Sequence, residues 1–152
     1  MPLEADILAA FPAELEIPAQ QVADAVAASA ATSPRVLVVL DDDPTGTQSV
    51  SDLPVLTRWE VEDFTWALHQ GKPAVYVLTN TRSLDPEEAA ARNEEIVRNA
   101  LAAAQKGEET LRLGFVSRSD STLRGHFPLD TREALSSLSR GRCPGANGLL
   151  VL

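Results

Sequence analysis

Residues 36–40, VLVVL, run without a break into DDDPTGTQ at 41–48. Five successive apolar residues with no polar alternation describe a short strand covered on both faces, as strands of a parallel sheet are. Asp41, Asp42 and Asp43 follow at its carboxyl end, with a proline, Thr45 and Gly46 behind them. In open α/β sheets that edge is where ligands bind. Three adjacent carboxylates repel one another, so hydroxyl donors, protons or a cation must offset the charge. A solvated acidic turn is the plain alternative, but the abrupt end of a buried strand favours a site.

The rest of the chain repeats the pattern. Residues 19–33 read as an alanine-rich helix with Val22 and Val26 on a weakly apolar stripe, stopped by Pro34. Residues 1–33 therefore stand as a helical extension before an α/β domain at 34–152. Residues 53–57 form a short strand, and Pro54 assigns it to an edge or a strand start. A helix follows, with Thr57 and Glu60 spaced as a capping box and Val61, Phe64 and Leu68 on one face; Gly71 stops it. Trp59 and Trp66 are expected to pack there. Residues 74–78, AVYVL, are the next buried strand, ending in TNTRS. Asp85, Pro86 and Glu88 open a second helix with cap, N1 proline and N3 acid, and Gly107 closes it. Residues 111–116 are a further strand, delivering SRSDSTLRGHFPL. Asp130 and Glu133 cap another helix, ended by Gly141, and residues 148–152 look like a last strand. Such alternation predicts a mostly parallel sheet with helices on both faces.

Three strands thus end in polar loops, and parallel strands bring such loops to one sheet edge. The first loop is acidic; the others supply Arg82, Arg118 and Arg124, with Asp120, His126 and several hydroxyls between them. Aspartates accept strong hydrogen bonds from sugar hydroxyls, and arginine forks grip carboxylates or phosphates bidentately. Together they describe a pocket for a small polyhydroxy acid.

Composition narrows the class. A chain of 152 residues, 44% apolar and 23% charged, matches one ordinary globular domain. A net charge of −9 and a pI near 4.6 exclude the basic face of a general nucleic-acid binder. No apolar run reaches the length of a membrane span, and residues 1–34 contain no lysine or arginine to begin a signal peptide. The single cysteine, Cys143, rules out an internal disulfide framework and fits a cytoplasmic chain.

The motifs LDDDPTGTQSVSDLPVLT, YVLTNTRSL and SRSDSTLRGHFPLD resemble the amino-terminal domain of the four-carbon acid sugar kinase family, over about residues 35–130. The resemblance implies a two-domain ATP-dependent kinase that phosphorylates acids such as threonate or erythronate. The amino-terminal domain would hold the sugar acid, and a separate carboxyl-terminal domain would hold ATP and Mg²⁺. The family's DD-x-TG core falls on Asp42, Asp43, Thr45 and Gly46, its strand-end arginine on Arg82, and its DSTLRG element on Asp120, Ser121, Arg124 and Gly125. Asp42 or Asp43 would meet the substrate hydroxyls, and Arg82, Arg118 and Arg124 the carboxylate, while Asp41 only adds negative charge. The chain ends where the family's amino-terminal domain is unfinished, so no nucleotide or metal is expected on it and turnover alone is not expected. The partners implied are the sugar acid and the carboxyl-terminal domain, without nucleic acid or membrane.

Two alternatives remain. Asp41-x-Asp43-x-Thr45 also resembles the haloacid-dehalogenase phosphatase motif, with Asp41 as nucleophile and Asp43 as general acid. That chemistry needs a lysine near the phosphoryl group, and neither Lys72 nor Lys106 is well placed. A non-catalytic sugar-acid-binding domain is the third reading.

Overall fold

A computed structural model describes residues 16–32, 35–43, 45–106, 111–119, 125–126 and 149–151. The chain divides into two compact units, Met1–Ser33 and Pro34–Leu152. In the first, the alanine-rich stretch forms helix α1 (Ala19–Thr32), on which Gln20 Nε2 donates to Asp24 Oδ1 across one turn. Val22 and Val26 of its apolar stripe are exposed.

The second unit is a parallel α/β fold. Strands β1 (Val36–Asp41), β2 (Val55–Leu56), β3 (Ala74–Leu78), β4 (Leu113–Arg118) and β5 (Leu149–Val151) form one sheet in the order β2-β3-β1-β4-β5. Every pairing between neighbours is parallel. β2 lies at an edge, where the missing N–H of Pro54 costs no ladder bond. The chain leaves β1 towards β2 on one side, whereas β4 continues to β5 on the other. The carboxyl ends of β1 and β4 therefore flank a topological switch point, the usual crevice for a ligand.

Helices α2 (Val61–Leu68) and α3 (Pro86–Ala104) cover one face of the sheet. Val38, Leu40, Val75, Val77, Leu113 and Phe115 pack there against Phe64 and Leu68 of α2 and Ile96, Val97 and Ala100 of α3. The helix expected at 130–141 lies outside the described residues, as do Gly107 and Cys143. α3 starts as its sequence requires: Asp85 caps it, accepting the Glu88 N–H at 2.9 Å, with Pro86 in the first turn.

Three local expectations shift. The capping box of α2 joins Glu60 and Asp63, not Thr57 and Glu60. Residues 57–60 are spent leading the chain out of β2, which moves the helix start three residues on. Trp66 is 56% exposed, because two helical steps carry it about 200° round from the buried Phe64. Trp59, by contrast, does pack on the core. β4 begins and ends two residues later than its apolar pattern suggests. Its ladder with β1 runs from Val36–Leu113 to Asp41–Arg118, while Leu111 gives its N–H to Ala104 O at the exit of α3. Ser117 and Arg118 are thus the end of a strand, and Arg118 is the register partner of Asp41. Among the described residues no helix is long and apolar enough to cross a membrane.

Candidate functional site at the carboxyl ends of β1, β3 and β4

Asp41 closes β1 with its side chain wholly withdrawn from solvent. Being in register on adjacent parallel strands, Asp41 and Arg118 point to the same face, and Arg118 Nη1 donates to Asp41 Oδ2 at 2.7 Å. The same Nη1 donates to Gly46 O at 3.0 Å, tying the acidic loop to β4. Asp41 Oδ1 accepts the Asp43 N–H at 3.1 Å. Both oxygens of Asp41 are therefore engaged in holding the loop, so the expectation that it only adds charge is corrected: it is the anchor of the site. Gly46 is required beside it by space alone. A Cβ there would overlap the Asp41 carboxylate and lie 2.5 Å from Arg118 Nη1.

Asp42, just past the end of β1, is buried as well, and Arg82 Nη2 donates to its Oδ1 at 2.8 Å. Arg82 Nη1 stands 3.4 Å from Asp43 Oδ2, so one guanidinium spans both carboxylates. Arg82 is delivered by a single 3₁₀ turn after β3, Thr81–Ser83, entered through Asn80 in the left-handed conformation (φ 50°). Asparagine tolerates that conformation better than most residues. Thr79 roots this loop on β1, giving both its N–H (2.8 Å) and its hydroxyl (3.1 Å) to Asp41 O.

Asp43 differs from its neighbours. Its side chain is 35% exposed, and its Oδ1 accepts the Thr45 N–H at 2.9 Å and the Thr45 hydroxyl at 2.8 Å. These two bonds hold the Asp43 carboxyl below the ordinary aspartate value; partial burial opposes them, and the Arg82 and Arg118 charges reinforce them. Gly46 N–H donates to Asp43 O, closing the turn.

Asp41, Asp42, Asp43, Arg82, Arg118 and Ser119 line an open cleft of about 250 Å³, large enough for a small polyhydroxy ligand. Three carboxylates face two guanidiniums here, which leaves an acceptor-rich surface suited to hydroxyl donors. Arg118 keeps 45% of its side chain exposed despite its bonds to Asp41 and Gly46. Among the described residues no group of three or more acidic, histidine or cysteine side chains is arranged to hold a metal ion.

The structure thus gathers Asp42, Asp43, Thr45, Gly46, Arg82 and Arg118 at one sheet edge. Asp120, Ser121 and Arg124 lie outside the described residues. Gly125 is half-buried, and the next residue, His126, donates through Nε2 to Leu84 O at 2.9 Å, against the loop after β3. Sequence reasoning gave Asp41 no positioning role and passed over Thr79 and Ser119. Only the strand-end position of each could have singled it out.

A parallel α/β sheet with a polar, carboxylate-rich cleft at its switch point is the architecture of a small-molecule-binding domain. The model of the family described as sugar-binding N-terminal domain matches residues 37–149, and the chain belongs to that family. Comparison with curated proteins and with solved structures gave no match.

Two tests follow from this geometry. Gly46→Ala should cost about 1–3 kcal/mol of stability by overpacking the Asp41–Arg118 pair; a denaturation midpoint equal to that of the unaltered chain would refute the contact. Carboxyl ¹³C NMR should find Asp43 titrating below the ordinary value of about 3.9. A depressed folded value means that Asp43 stabilises the fold fully above the unfolded value. That contribution is lost as pH falls through the folded one. Thr45→Val should move the midpoint upwards; an Asp43 midpoint at or above the ordinary value contradicts the assignment.

Proposed function

We propose that this chain is the sugar-acid-holding part of an ATP-dependent kinase acting on a small, four-carbon acid such as threonate or erythronate. Membership of the sugar-binding family supports the ligand class. The observation that carries the roles is the contrast among the three aspartates: Asp41 and Asp42 are buried and paired with arginines, and Asp43 is left facing the cleft.

In this reading Asp43 Oδ2 accepts the hydrogen of the substrate hydroxyl that is to be phosphorylated. Its lowered basicity is no obstacle, since phosphoryl transfer depends mainly on positioning and charge stabilisation and asks little of a base before bond formation is advanced. Asp42 keeps Arg82 in place, and Arg82 together with the exposed part of Arg118 faces the ligand's carboxylate, where a guanidinium fork is worth more than a point charge. Thr45 and Gly46 shape the turn that presents Asp43. ATP with Mg²⁺ would supply the phosphoryl group and its charge neutralisation, and in this reading both are held by a carboxyl-terminal domain. The protein is then expected in the cytoplasm, where ATP is supplied.

The phosphatase alternative asks Asp41 to attack a phosphorus atom. A carboxylate with no exposed surface, with one oxygen on Arg118 and the other on the Asp43 N–H, is poorly placed for in-line attack.

Calorimetry with a panel of four-carbon sugar acids tests the proposal. At least one should bind, and Asp43→Asn should weaken it about ten- to a hundredfold, the value of a hydrogen bond to a charged acceptor. Asp41→Asn should lose stability along with affinity. Failure of every sugar acid to bind, or a phosphatase activity abolished by Asp41→Asn alone, would overturn the reading.

A further inference from the structure

One arginine outside the cleft is held as carefully as those inside it. Arg92 stands on α3, with its guanidinium carbon 5.3 Å from the centre of the Trp59 ring. Its Nη1 donates to the main-chain carbonyl of Thr79 at 2.9 Å. Trp59 is itself fixed from the same helix: its Nε1 donates to Glu95 Oε2 at 3.2 Å, and its carbonyl accepts Asn99 Nδ2 at 2.9 Å. Arg92, Glu95 and Asn99 recur at helical spacing, so one face of α3 clasps Trp59, just ahead of the cap of α2, and, through Arg92, the loop after β3.

The carbonyl that Arg92 grips has a consequential place. Thr79 is pinned to Asp41 O by its N–H and its hydroxyl. Holding its carbonyl as well fixes the peptide that leads into the left-handed Asn80, and Arg82 follows two residues later. A planar guanidinium can lie over an indole while keeping its N–H groups in plane for a carbonyl; an ammonium cannot do both equally well. We propose that Arg92 is a positioning residue for Arg82: braced on Trp59, it sets the turn from which Arg82 reaches Asp42 and Asp43.

The role is testable on the full chain by a readout independent of the ligand. The Nε–Hε signal of Arg82 in ¹H–¹⁵N NMR reports how firmly its guanidinium is held. Arg92→Met should speed solvent exchange at that signal by about tenfold, and Arg92→Lys by less, as expected for coupled rather than independent sites. An Arg82 signal unchanged in Arg92→Met overturns the proposal. If that variant does not fold, Arg92→Lys carries the comparison, and an unchanged signal there overturns it equally.

A second arm rests on the sugar-acid reading. Arg92→Met should weaken sugar-acid binding about three- to tenfold when Arg82 is present, and less than about twofold in an Arg82→Met background. Equal losses in both backgrounds would make Arg92 a merely structural residue. Absence of any sugar-acid binding, with the Arg82 signal still dependent on Arg92, would sink the functional reading and uphold the positioning role.

Discussion

Two carboxylates, Asp41 and Asp42, are taken out of water side by side at the end of one strand. A buried charge without a partner is strongly destabilising, so the fold has to bring a guanidinium to each. Register brings Arg118 to Asp41, because β4 runs two residues beyond its apolar pattern to stand level with it. The left-handed turn at Asn80 brings Arg82 to Asp42. Gly46 is bare because any side chain would enter the first pair. The Asp43 turn, the turn after β3 and the end of β4 are therefore tied to one another, and together they line the cleft.

That linkage explains a division of labour that adjacency in sequence conceals. The first two aspartates position the arginines and the loop, and the third meets the cleft with its basicity lowered by Thr45. A site built in this way presents acceptors for hydroxyls and retains exposed guanidinium surface for an anion. Those are the two chemistries of a sugar acid. The brace through Trp59 and Arg92 extends the same principle outwards, from the cleft to the packing of α2 and α3.

Much of this was legible in the sequence, and the failures have physical reasons. The strands at 36–40 and 74–78 and the Asp85–Pro86–Glu88 helix start are local signals, written in hydrophobic runs and cap chemistry, and they need no tertiary information. The gathering of acidic and basic loops at one edge follows from parallelism alone. The start of α2 was misplaced because Thr57 and Glu60 offer the same spacing as the true box of Glu60 and Asp63, and only the geometry of the turn out of β2 chooses between them. The end of β4 was misplaced because its last two residues, Ser117 and Arg118, are polar: they belong to the strand through pairing with β1, which no local window records. Asp41 was undervalued for the same reason, since its partner stands 77 residues away. Arg92 carries no signal in the sequence, because its importance lies in a carbonyl and an indole that only the fold brings near.

The claim on which this account depends is that the Asp41–Arg118 pair holds the site together. A double-mutant cycle in denaturant, with Asp41→Asn, Arg118→Met and the two combined, measures it most directly. A coupling of about 1.5–3 kcal/mol is expected, the value of a hydrogen bond to a charged group. Single losses that simply add, with no coupling between the two positions, would contradict it.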